Sequence, residues 1–440
     1  MLHDVRDPRE LVTAEATQLQ ASGYELDGRL AKAQAAAESN DLLTLASIAS
    51  ELDSVRLAAD WKYDEPDDEL TIRELAANLP DLEVVHGELK DRVTGAWLGR
   101  CVGNTMGKPV EGLDAGVIRT YLEAAGAWPQ TGYIPLISPL PTGVSHLHPS
   151  AEFASLGTFT DVPRDDDIDW TILGLFMMEQ HGAGLTTEQI GETWLDRIPF
   201  TQTYTAERAA YRNLVRGLPA EDAATVENPY REWIGALIRA DIFGYVYPGR
   251  PSHAVLAAFT DARLSHVKNG LYGETWAAAL VSASFSTTSA RVALENAQVS
   301  LPPRSRLAEA LSKVLALHAS GATVDEAYAW IDDNLGHYHW VHTINNAALI
   351  ALGLLWGEDF TTTLAMTIAG GRDTDSNGAT VGSVYGALHG VAGVPARLVG
   401  TTHVAIRSSV RDFDRVTISE LADRTMRQIE RLGGADRSWT

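Results

Sequence analysis

The spacing of apolar residues predicts helices along most of the chain. In the first 60 residues, apolar positions between Leu30 and Ile48 recur close to the helical period, which predicts two or three helices. The stretches 305–319 and 323–334 show the same period. Runs that alternate between apolar and polar residues, as half-buried strands do, are scarce. The sequence therefore predicts an all-α fold.

Two of the predicted helices carry glycine at every fourth position, which places the glycines on one face of each helix. The positions are Gly95, Gly99, Gly103 and Gly107 in the first helix, and Gly378, Gly382, Gly386 and Gly390 in the second. Glycine is less favourable than alanine in a helix by about 1 kcal/mol, so its repetition indicates that another backbone approaches closely. We expect the two glycine faces to contact each other or a common neighbour.

Composition changes along the chain and suggests two parts. The run W-K-Y-D-E-P-D-D-E at 61–69 is acidic and contains a proline, as linkers and exposed loops do. After another predicted helix, the main domain begins near Leu89 with the first glycine-stepped segment, so we divide the chain into an N-terminal helical extension, 1–88, and a main domain, 89–440. The extension carries no recognisable chemistry and is available for contacts with the main domain, a partner or a second copy of the chain.

The main domain contains one long stretch that is poor in helical pattern. Between 112 and 164 the sequence is rich in proline and contains Tyr133, His146 and His148. Long irregular segments of this kind often cover a binding site. We expect it to act as a lid or a substrate-facing loop.

The charge of the chain narrows the classes of partner. It has 58 acidic and 35 basic residues and a net charge of −23. This charge repels phosphate backbones and anionic membranes, so we expect no nucleic-acid or membrane partner. The longest apolar stretch, 347–356, is far shorter than the roughly 20 residues that span a bilayer. The single cysteine, Cys101, and the charged first residues predict a cytoplasmic protein.

Oxygen-bearing side chains cluster on the turn before the second glycine-rich helix. The sequence I-A-G-G-R-D-T-D-S-N-G places Asp373, Asp375 and Ser376 there. Carboxylate and hydroxyl oxygens are ligands that Mg²⁺ prefers. A metal site is one interpretation. The other is that Asp375 or Ser376 only caps the helix.

A second acidic group begins an apolar helix. It consists of Asp165, Asp166, Asp167 and Asp169, in the sequence P-R-D-D-D-I-D-W. Carboxylates packed this closely repel one another unless a positive group lies among them. A divalent cation would supply that charge, and the helix dipole alone is the weaker alternative.

Glu111 follows the first glycine-rich helix directly, after Pro109 ends it. On its own, the residue is more typical of a solvated acid in a loop. Further along, His337, His339 and His342 lie close together, but no cysteine or H-E-x-x-H spacing accompanies them, so they are a weak indication of zinc.

These motifs, taken in order, resemble the ADP-ribosylglycohydrolase family, whose members include dinitrogenase-reductase-activating glycohydrolase and ADP-ribosylarginine hydrolases. The resemblance rests on the acidic helix start, the D-T-D-S turn and the glycine-stepped helix that leads to Glu111, with the segments around Arg239 and His266 between them. It covers roughly 89–393. It implies a compact all-α bundle around a centre that holds two Mg²⁺ ions, with Mn²⁺ as the alternative.

The resemblance also implies roles for individual residues. Glu111 and Asp167 are implied to be catalytic, with Glu111 acting near the scissile ribose. The implied metal ligands are Asp165, Asp166, Asp167, Asp373, Asp375 and Ser376. The predicted substrate contacts are Asn104, Arg239, His266, Asn269, Gly371 and Arg372.

The chain departs from the family pattern at several of these positions. Asp165 stands where the family has Thr, Ile168 stands where a second Thr is common, and Asn104 replaces an Asp. Arg372 is inserted between Gly371 and the acidic turn. These changes leave the metal set intact and concern the substrate.

Three functions follow from the resemblance and the departures. The first is a Mg²⁺-dependent glycohydrolase that cleaves a glycosidic bond at the anomeric carbon of ADP-ribose or a related ribosyl conjugate, on a small molecule or an ADP-ribosylated protein. The second is a metal-assisted hydrolase or lyase acting on another small glycoside or nucleoside. The third is a non-catalytic member of the family, against which the full acidic set stands, since buried carboxylates without a counter-charge are destabilising.

Overall fold

A computed structural model describes residues 4–84, 86–400 and 403–436, and its fold is all-α as predicted. Strands are confined, in this part of the chain, to two antiparallel pairs of two residues each. The pairs are β1 Tyr24–Glu25 with β2 Arg56–Leu57, and β3 Ala405–Ile406 with β4 Val416–Thr417. None of the described helices is both long enough and apolar enough to cross a bilayer.

The N-terminal region forms three helices, within the predicted number. They are α1 Pro8–Ala21, α2 Arg29–Glu38 and α3 Leu42–Leu52. Their buried faces make a small core of their own, which comprises Val12, Ala16, Leu19, Leu26, Ala33, Ala36, Leu45, Ile48 and Leu52. The three helices are therefore a separately packed unit.

The acidic run after these helices was predicted to be a linker or an exposed loop, but it lies against the main body. The Glu65 carboxylate, which is buried, accepts hydrogen bonds from the Arg306 guanidinium at 2.9 Å. The Tyr272 hydroxyl donates to the carbonyl oxygen of Pro66 at 2.8 Å. This segment joins the extension to the main body through buried polar contacts.

The remaining helices build one large core. In chain order they are α4 Glu69–Ala77, α5 Leu89–Gly107, α6 Ala115–Ala124, α7 Ala151–Ala154, α8 Asp166–His181, α9 Thr187–Arg197, α10 Thr205–Val215, α11 Ala220–Ala223, α12 Asp241–Val246, α13 Pro251–Ala262, α14 Lys268–Ser284, α15 Ala290–Gln298, α16 Arg306–Ala319, α17 Val324–Leu335, α18 Thr343–Trp356, α19 Phe360–Ala369, α20 Thr374–His389, α21 Ala396–Val399 and α22 Ile418–Asp436. Helices α16 and α17 lie within one residue of the predicted bounds.

Two boundaries differ from what the sequence pattern suggested. The proline-rich stretch contains α6, because Ile118, Tyr121 and Leu122 supply an apolar face that packs into the main core. The main core also includes Ile72 and Ala76 of α4, which precede residue 89. The division of the chain at residue 88 stays a prediction. The small core is formed by residues 12–52, whereas α4 already contributes to the main core.

Helices α5 and α20 pack glycine face to glycine face, which confirms the expected close approach. A Cβ atom at Gly99 would lie 2.0 Å from the carbonyl oxygen of Gly382, and one at Gly103 would lie 2.0 Å from that of Gly378. At the end of α5, the Thr374 hydroxyl donates to the carbonyl oxygen of Gly107 at 2.8 Å. The end of α5 is thereby fixed against the start of α20.

A buried arginine attaches the start of α8 to the same pair of helices. Arg100 of α5 donates to the carbonyl oxygen of Asp167 at 2.6 Å and to the carboxylate of Asp241 at 2.6 Å. Three segments that are distant in sequence therefore converge: the turn after α5, the start of α8 and the start of α20.

Candidate metal centre

The three acidic segments bring their carboxylates to one place. Ligand oxygens of Glu111, Asp373 and Asp375 all lie within 4.8 Å of one another, and so do those of Asp165, Asp167 and Asp375. We call these the Glu111 set and the Asp165 set. Asp375 belongs to both sets, as a residue between two adjacent ions would.

Capping explains only part of this acidic arrangement. The residue at the N-cap of α20 is Asp373, and its side chain makes no capping hydrogen bond. At α8, Asp165 does cap the helix, accepting a hydrogen bond from the backbone N–H of Asp167 at 3.2 Å. The simple capping interpretation therefore fails for the turn before α20.

Other predicted site residues support the two sets. The Asn104 amide donates to Oδ2 of Asp167 at 3.1 Å, so this departure from the family pattern holds a catalytic candidate in place. Ser376 is buried and hydrogen-bonds to the Asp373 carboxylate. Asp166 is half-buried beside Asp165.

Lys108 lies among the carboxylates, and the sequence analysis missed it. Its Nζ is 2.7 Å from Oε2 of Glu111, 2.7 Å from Oδ2 of Asp165 and 2.6 Å from Oδ2 of Asp375. Its side chain is only 10% exposed. Lysine is seldom buried without carboxylate partners, and its place directly before Pro109 in an otherwise glycine-rich and apolar stretch was the available signal.

A second missed residue, Asn346 of α18, positions the turn before α20. Its Oδ1 accepts hydrogen bonds from the backbone N–H of Asp373 at 3.2 Å and from the Asn377 amide at 2.8 Å. Asn346 is fully buried. It fixes the direction in which the acidic turn leaves α19.

The donor set fits a divalent cation. Oδ1 of Asp167 and Oδ1 of Asp375 are buried and have no hydrogen-bond partner, although buried polar atoms rarely remain unpaired. Both are hard oxygen donors of the kind that Mg²⁺ and Mn²⁺ take. The three histidines that weakly suggested zinc do not belong to a metal-binding group among the described residues.

The ionisation of the centre also indicates a shortage of positive charge. Burial and the neighbouring Asp375 raise the pKa of Glu111 to about 8, although Lys108 opposes the shift. Burial and the Asp165 carboxylate raise the pKa of Asp166 to about 7. Burial acts to raise the pKa of Asp165 as well, but Lys108 outweighs it and the pKa is lowered. A divalent cation would favour the charged form of each carboxylate that it contacts.

Asp169, the fourth acid of the α8 start, lies outside both sets. Its carboxylate accepts hydrogen bonds from Arg164 at 2.8 Å and from the Ser408 hydroxyl at 2.6 Å. It joins the start of α8 to the segment before β4. Asp169 therefore forms an ion pair with Arg164 and is not a member of either carboxylate set.

Arg239, His266 and Asn269 lie in other polar networks. Arg239 is buried and forms ion pairs with Glu207, Asp261 and Glu274. The His266 ring, fully buried, contacts the hydroxyl of Ser265.

Asn269 uses both ends of its amide within the protein. Its nitrogen donates to Glu65 and Glu232, and its oxygen accepts from the backbone N–H of Leu307. The assignment of Arg239, His266 and Asn269 to the substrate stays a prediction.

Gly371 and Arg372 shape the turn before the acidic residues. Both have a positive φ, of 69° and 66°, and a Cβ on Gly371 would lie 2.6 Å from the carbonyl oxygen of Leu113. The Arg372 guanidinium donates to Asp332 at 2.7 Å. The inserted arginine therefore contacts α17, and its assignment to the substrate also stays a prediction.

A cavity of about 460 Å³ has Lys108 in its wall. None of the carboxylates of the two sets lines it, so Lys108 is the residue that it shares with the acidic centre. The proline-rich segment contributes Phe153 and Phe159 to the lining. Arg164 and Arg407 line it as well. The proline-rich segment therefore lines a cavity that shares Lys108 with the acidic centre, and its role as a lid or substrate-facing loop stays a prediction.

Comparison with known proteins identifies the family of the chain. The ADP-ribosylglycohydrolase family matches residues 86–434. Among solved structures, one described as an ADP-ribosylglycohydrolase-related protein complex aligns with a TM-score of 0.48 and 20% sequence identity, covering 79% of this chain and 99% of that chain. No curated protein matches the sequence.

Proposed function

Because this chain belongs to the ADP-ribosylglycohydrolase family, we propose that it hydrolyses the glycosidic bond at the anomeric carbon of ADP-ribose or a related ribosyl conjugate, with Mg²⁺ as cofactor and Mn²⁺ as the alternative. The observation that carries the proposal is the pair of carboxylate sets that share Asp375. Lys108 contacts both sets and also lines the cavity. The family is of the hydrolase type. The metal, the sugar and the leaving group are the proposed part.

The proposed metal ligands come from the two helix starts and the turn after α5. They are Asp165, Asp167 and Asp375 in one set and Glu111, Asp373 and Asp375 in the other, with Asp166 and Ser376 as further oxygen donors. When bound, the ion would supply a Lewis acid for the vicinal hydroxyls of a ribose and for an attacking water. The unpaired buried oxygens of Asp167 and Asp375 support this assignment.

Proton transfer is assigned to Glu111 and Asp167. Burial and Asp375 bring the pKa of Glu111 to about 8 in the metal-free protein, so its carboxyl exchanges a proton near neutral pH. Asn104 holds one oxygen of Asp167 and leaves the other unpaired. Burial and the neighbouring Asp375 also raise the pKa of Asp167 well above its usual value, so both residues offer a carboxyl group in the metal-free protein.

The cavity lining supports a nucleotide-like conjugate. A protein with a net charge of −23 needs local positive charge to hold a phosphorylated substrate. Arg164 and Arg407 provide it in the cavity lining, and each also pairs with a carboxylate, that of Asp169 and that of Asp414 respectively. The rings of Phe153 and Phe159 add apolar surface on which a base can stack.

A second candidate is a metal-assisted hydrolase or lyase for another small glycoside or nucleoside. The observation that favours it is the replacement of an acid by Asn104 within hydrogen-bonding distance of Asp167, which removes one negative charge from the centre. Oligomer formation through α1–α3 and a cytoplasmic location stay predictions.

The test is hydrolysis of a panel of ADP-ribosyl conjugates and nucleosides with Mg²⁺ or with EDTA, with the released sugar as the readout. We expect release by the wild type with Mg²⁺ only, and none by the double variant Asp373→Ala with Asp375→Ala. Glu152→Gln, which removes an exposed acid from α7, is the matched control and should keep its activity. Activity in the double variant or in EDTA would contradict the proposal, and so would the absence of release from every substrate.

A further inference from the structure

We propose that Lys108 is a built-in cation of the centre and takes the place of one divalent ion, so that this chain binds one ion and not two. The inference rests on the proposed metal-dependent function and names how its site is filled. It concerns a residue for which the acidic motifs gave no role.

The position of the ammonium group carries the inference. Lys108 Nζ contacts one residue that belongs only to the Glu111 set, one that belongs only to the Asp165 set, and the shared residue Asp375. The three ion-pair contacts are 2.6 to 2.7 Å long, and the contact with Oδ2 of Asp375 is a hydrogen bond that the ammonium group donates. Distances this short are typical of charge-assisted hydrogen bonds. The positive charge therefore lies between the two sets.

The backbone around Lys108 fixes this position. Its neighbour Gly107 packs so closely on α20 that a Cβ atom would lie 2.1 Å from the carbonyl oxygen of Thr374. Lys108 then begins a single 3₁₀ turn, Lys108–Val110, that contains Pro109. A side chain anchored in this way and largely buried differs from a surface lysine, which moves freely in solvent.

Competition for the same oxygens explains why a second ion is disfavoured. Two ions would need Asp375 as a shared ligand while Lys108 already occupies Oδ2 of that residue. Three cationic centres would then lie around one carboxylate, and their mutual repulsion rises in a buried site. Removal of the ammonium charge would relieve that repulsion.

The oxygens that remain unpaired show where the single ion would bind. Oδ1 of Asp375, Oδ1 of Asp167 and Oε2 of Glu111 are buried without hydrogen-bond partners, but Lys108 Nζ lies 2.7 Å from the Glu111 oxygen, and the two aspartate residues both belong to the Asp165 set. Glu111, in the other set, already has Lys108 as its counter-charge. We therefore assign the divalent ion to the Asp165 set and the lysine to the side of Glu111.

The test counts bound ions directly. Chelator-treated full-length protein is titrated with Mn²⁺ in a calorimeter, and metal content is measured after removal of free ions. We expect one Mn²⁺ per chain for the wild type and two for Lys108→Met. Lys62→Met is the matched control, because it removes the same charge from an exposed ion pair with Glu309, and it should keep one ion.

The outcomes separate this inference from the function on which it rests. Two ions in the wild type would overturn the role of Lys108 and leave the metal-dependent function standing. One ion in Lys108→Met would also overturn it. No ion in the wild type would contradict the metal site itself. If Lys108→Met does not fold, Lys108→Gln takes its place, and we again expect two bound ions. The number of ions bound by the wild type tests the inference even without either variant.

Discussion

At the scale of single residues, this protein buries many ionisable side chains, and several of them form ion pairs with one another. His342 is one whose burial has a measurable consequence. The side chain is 2% exposed, its Nδ1 accepts a hydrogen bond from the backbone N–H of Ile344, and its Nε2 has no hydrogen-bond partner. Burial lowers the pKa of this ring to about 3, although the nearby Glu232 acts in the opposite direction.

This shift predicts acid sensitivity of folding. Between the ordinary histidine pKa of 6.5 and about 3, the unfolded chain binds a proton at His342 that the folded chain does not bind. The free energy of unfolding therefore falls as the pH falls through this range, by up to about 1.4 kcal/mol per pH unit for one group. Replacement by Asn, which keeps the cap of α18, should remove this contribution.

Urea unfolding at several pH values between 4 and 7 measures the effect. We expect a flatter dependence of stability on pH in His342→Asn than in the wild type. His146→Asn, at an exposed position in the proline-rich segment, is the control and should retain the wild-type slope. Equal slopes for the wild type and His342→Asn would refute the assignment.

At the scale of elements, the contact between α5 and α20 determines the geometry of the centre. It aligns the end of one helix with the start of the other, and the acidic turn and Glu111 follow from that alignment. Its glycines leave no space for a side chain. Close backbone packing therefore takes precedence here over helix propensity.

Gly99→Ala should test this contact. The added Cβ would lie 2.0 Å from a backbone oxygen of α20, which cannot move aside as a flexible side chain would. Overpacking in a core costs about 1–3 kcal/mol, and a backbone obstacle places this case at the upper end or beyond. Gly116→Ala in α6, with nothing within 4 Å of the new atom, should leave stability unchanged or slightly higher. Chemical denaturation of both variants gives the comparison, and equal stability would contradict the packing account.

The same contact explains which parts of the site could be predicted from sequence. The four-residue glycine step and the acidic runs are local patterns, so the two helices and most carboxylates were predictable. Lys108 was not, because one of its partners, Asp375, is 267 positions away and only the fold brings the two together. Asn346 was missed for the same reason. Helix α6 was missed because the prolines after it dominated the pattern.

At the scale of the whole molecule, a buried carboxylate attaches the N-terminal helices to the main body. Oε1 of Glu232 accepts hydrogen bonds from Gln18 and Ser22 of the extension, and Oε2 accepts from Arg306. Asn269 donates to the same carboxylate. The extension lies outside most of the family match, yet this network makes it part of the folded protein.

Glu232→Gln should weaken that attachment. The substitution removes the negative charge of the carboxylate that pairs with Arg306. It also puts an amide in place of the carboxylate that accepts two hydrogen bonds from the extension. Outright loss of one partner of a buried ion pair costs about 3–5 kcal/mol. We expect a smaller loss here, since Arg306 keeps Glu65. Faster hydrogen exchange in α1 than in the wild type is the readout. The control is Glu38→Gln, at an exposed position of α2, which should leave the rate of hydrogen exchange in α1 unchanged. An unchanged exchange rate in Glu232→Gln would contradict the role of Glu232 in attaching the extension.

The central claim is that the carboxylates around Asp375 form a divalent metal site, and thermal unfolding of chelator-treated protein with and without Mg²⁺ tests it most directly. A ligand that binds only the folded state raises the unfolding midpoint. The account predicts a rise for the wild type that grows with Mg²⁺ concentration, and no rise for Asp375→Asn, which loses the residue that both sets share. A wild-type midpoint that does not respond to Mg²⁺ or Mn²⁺, or an equal rise in the variant, would contradict it.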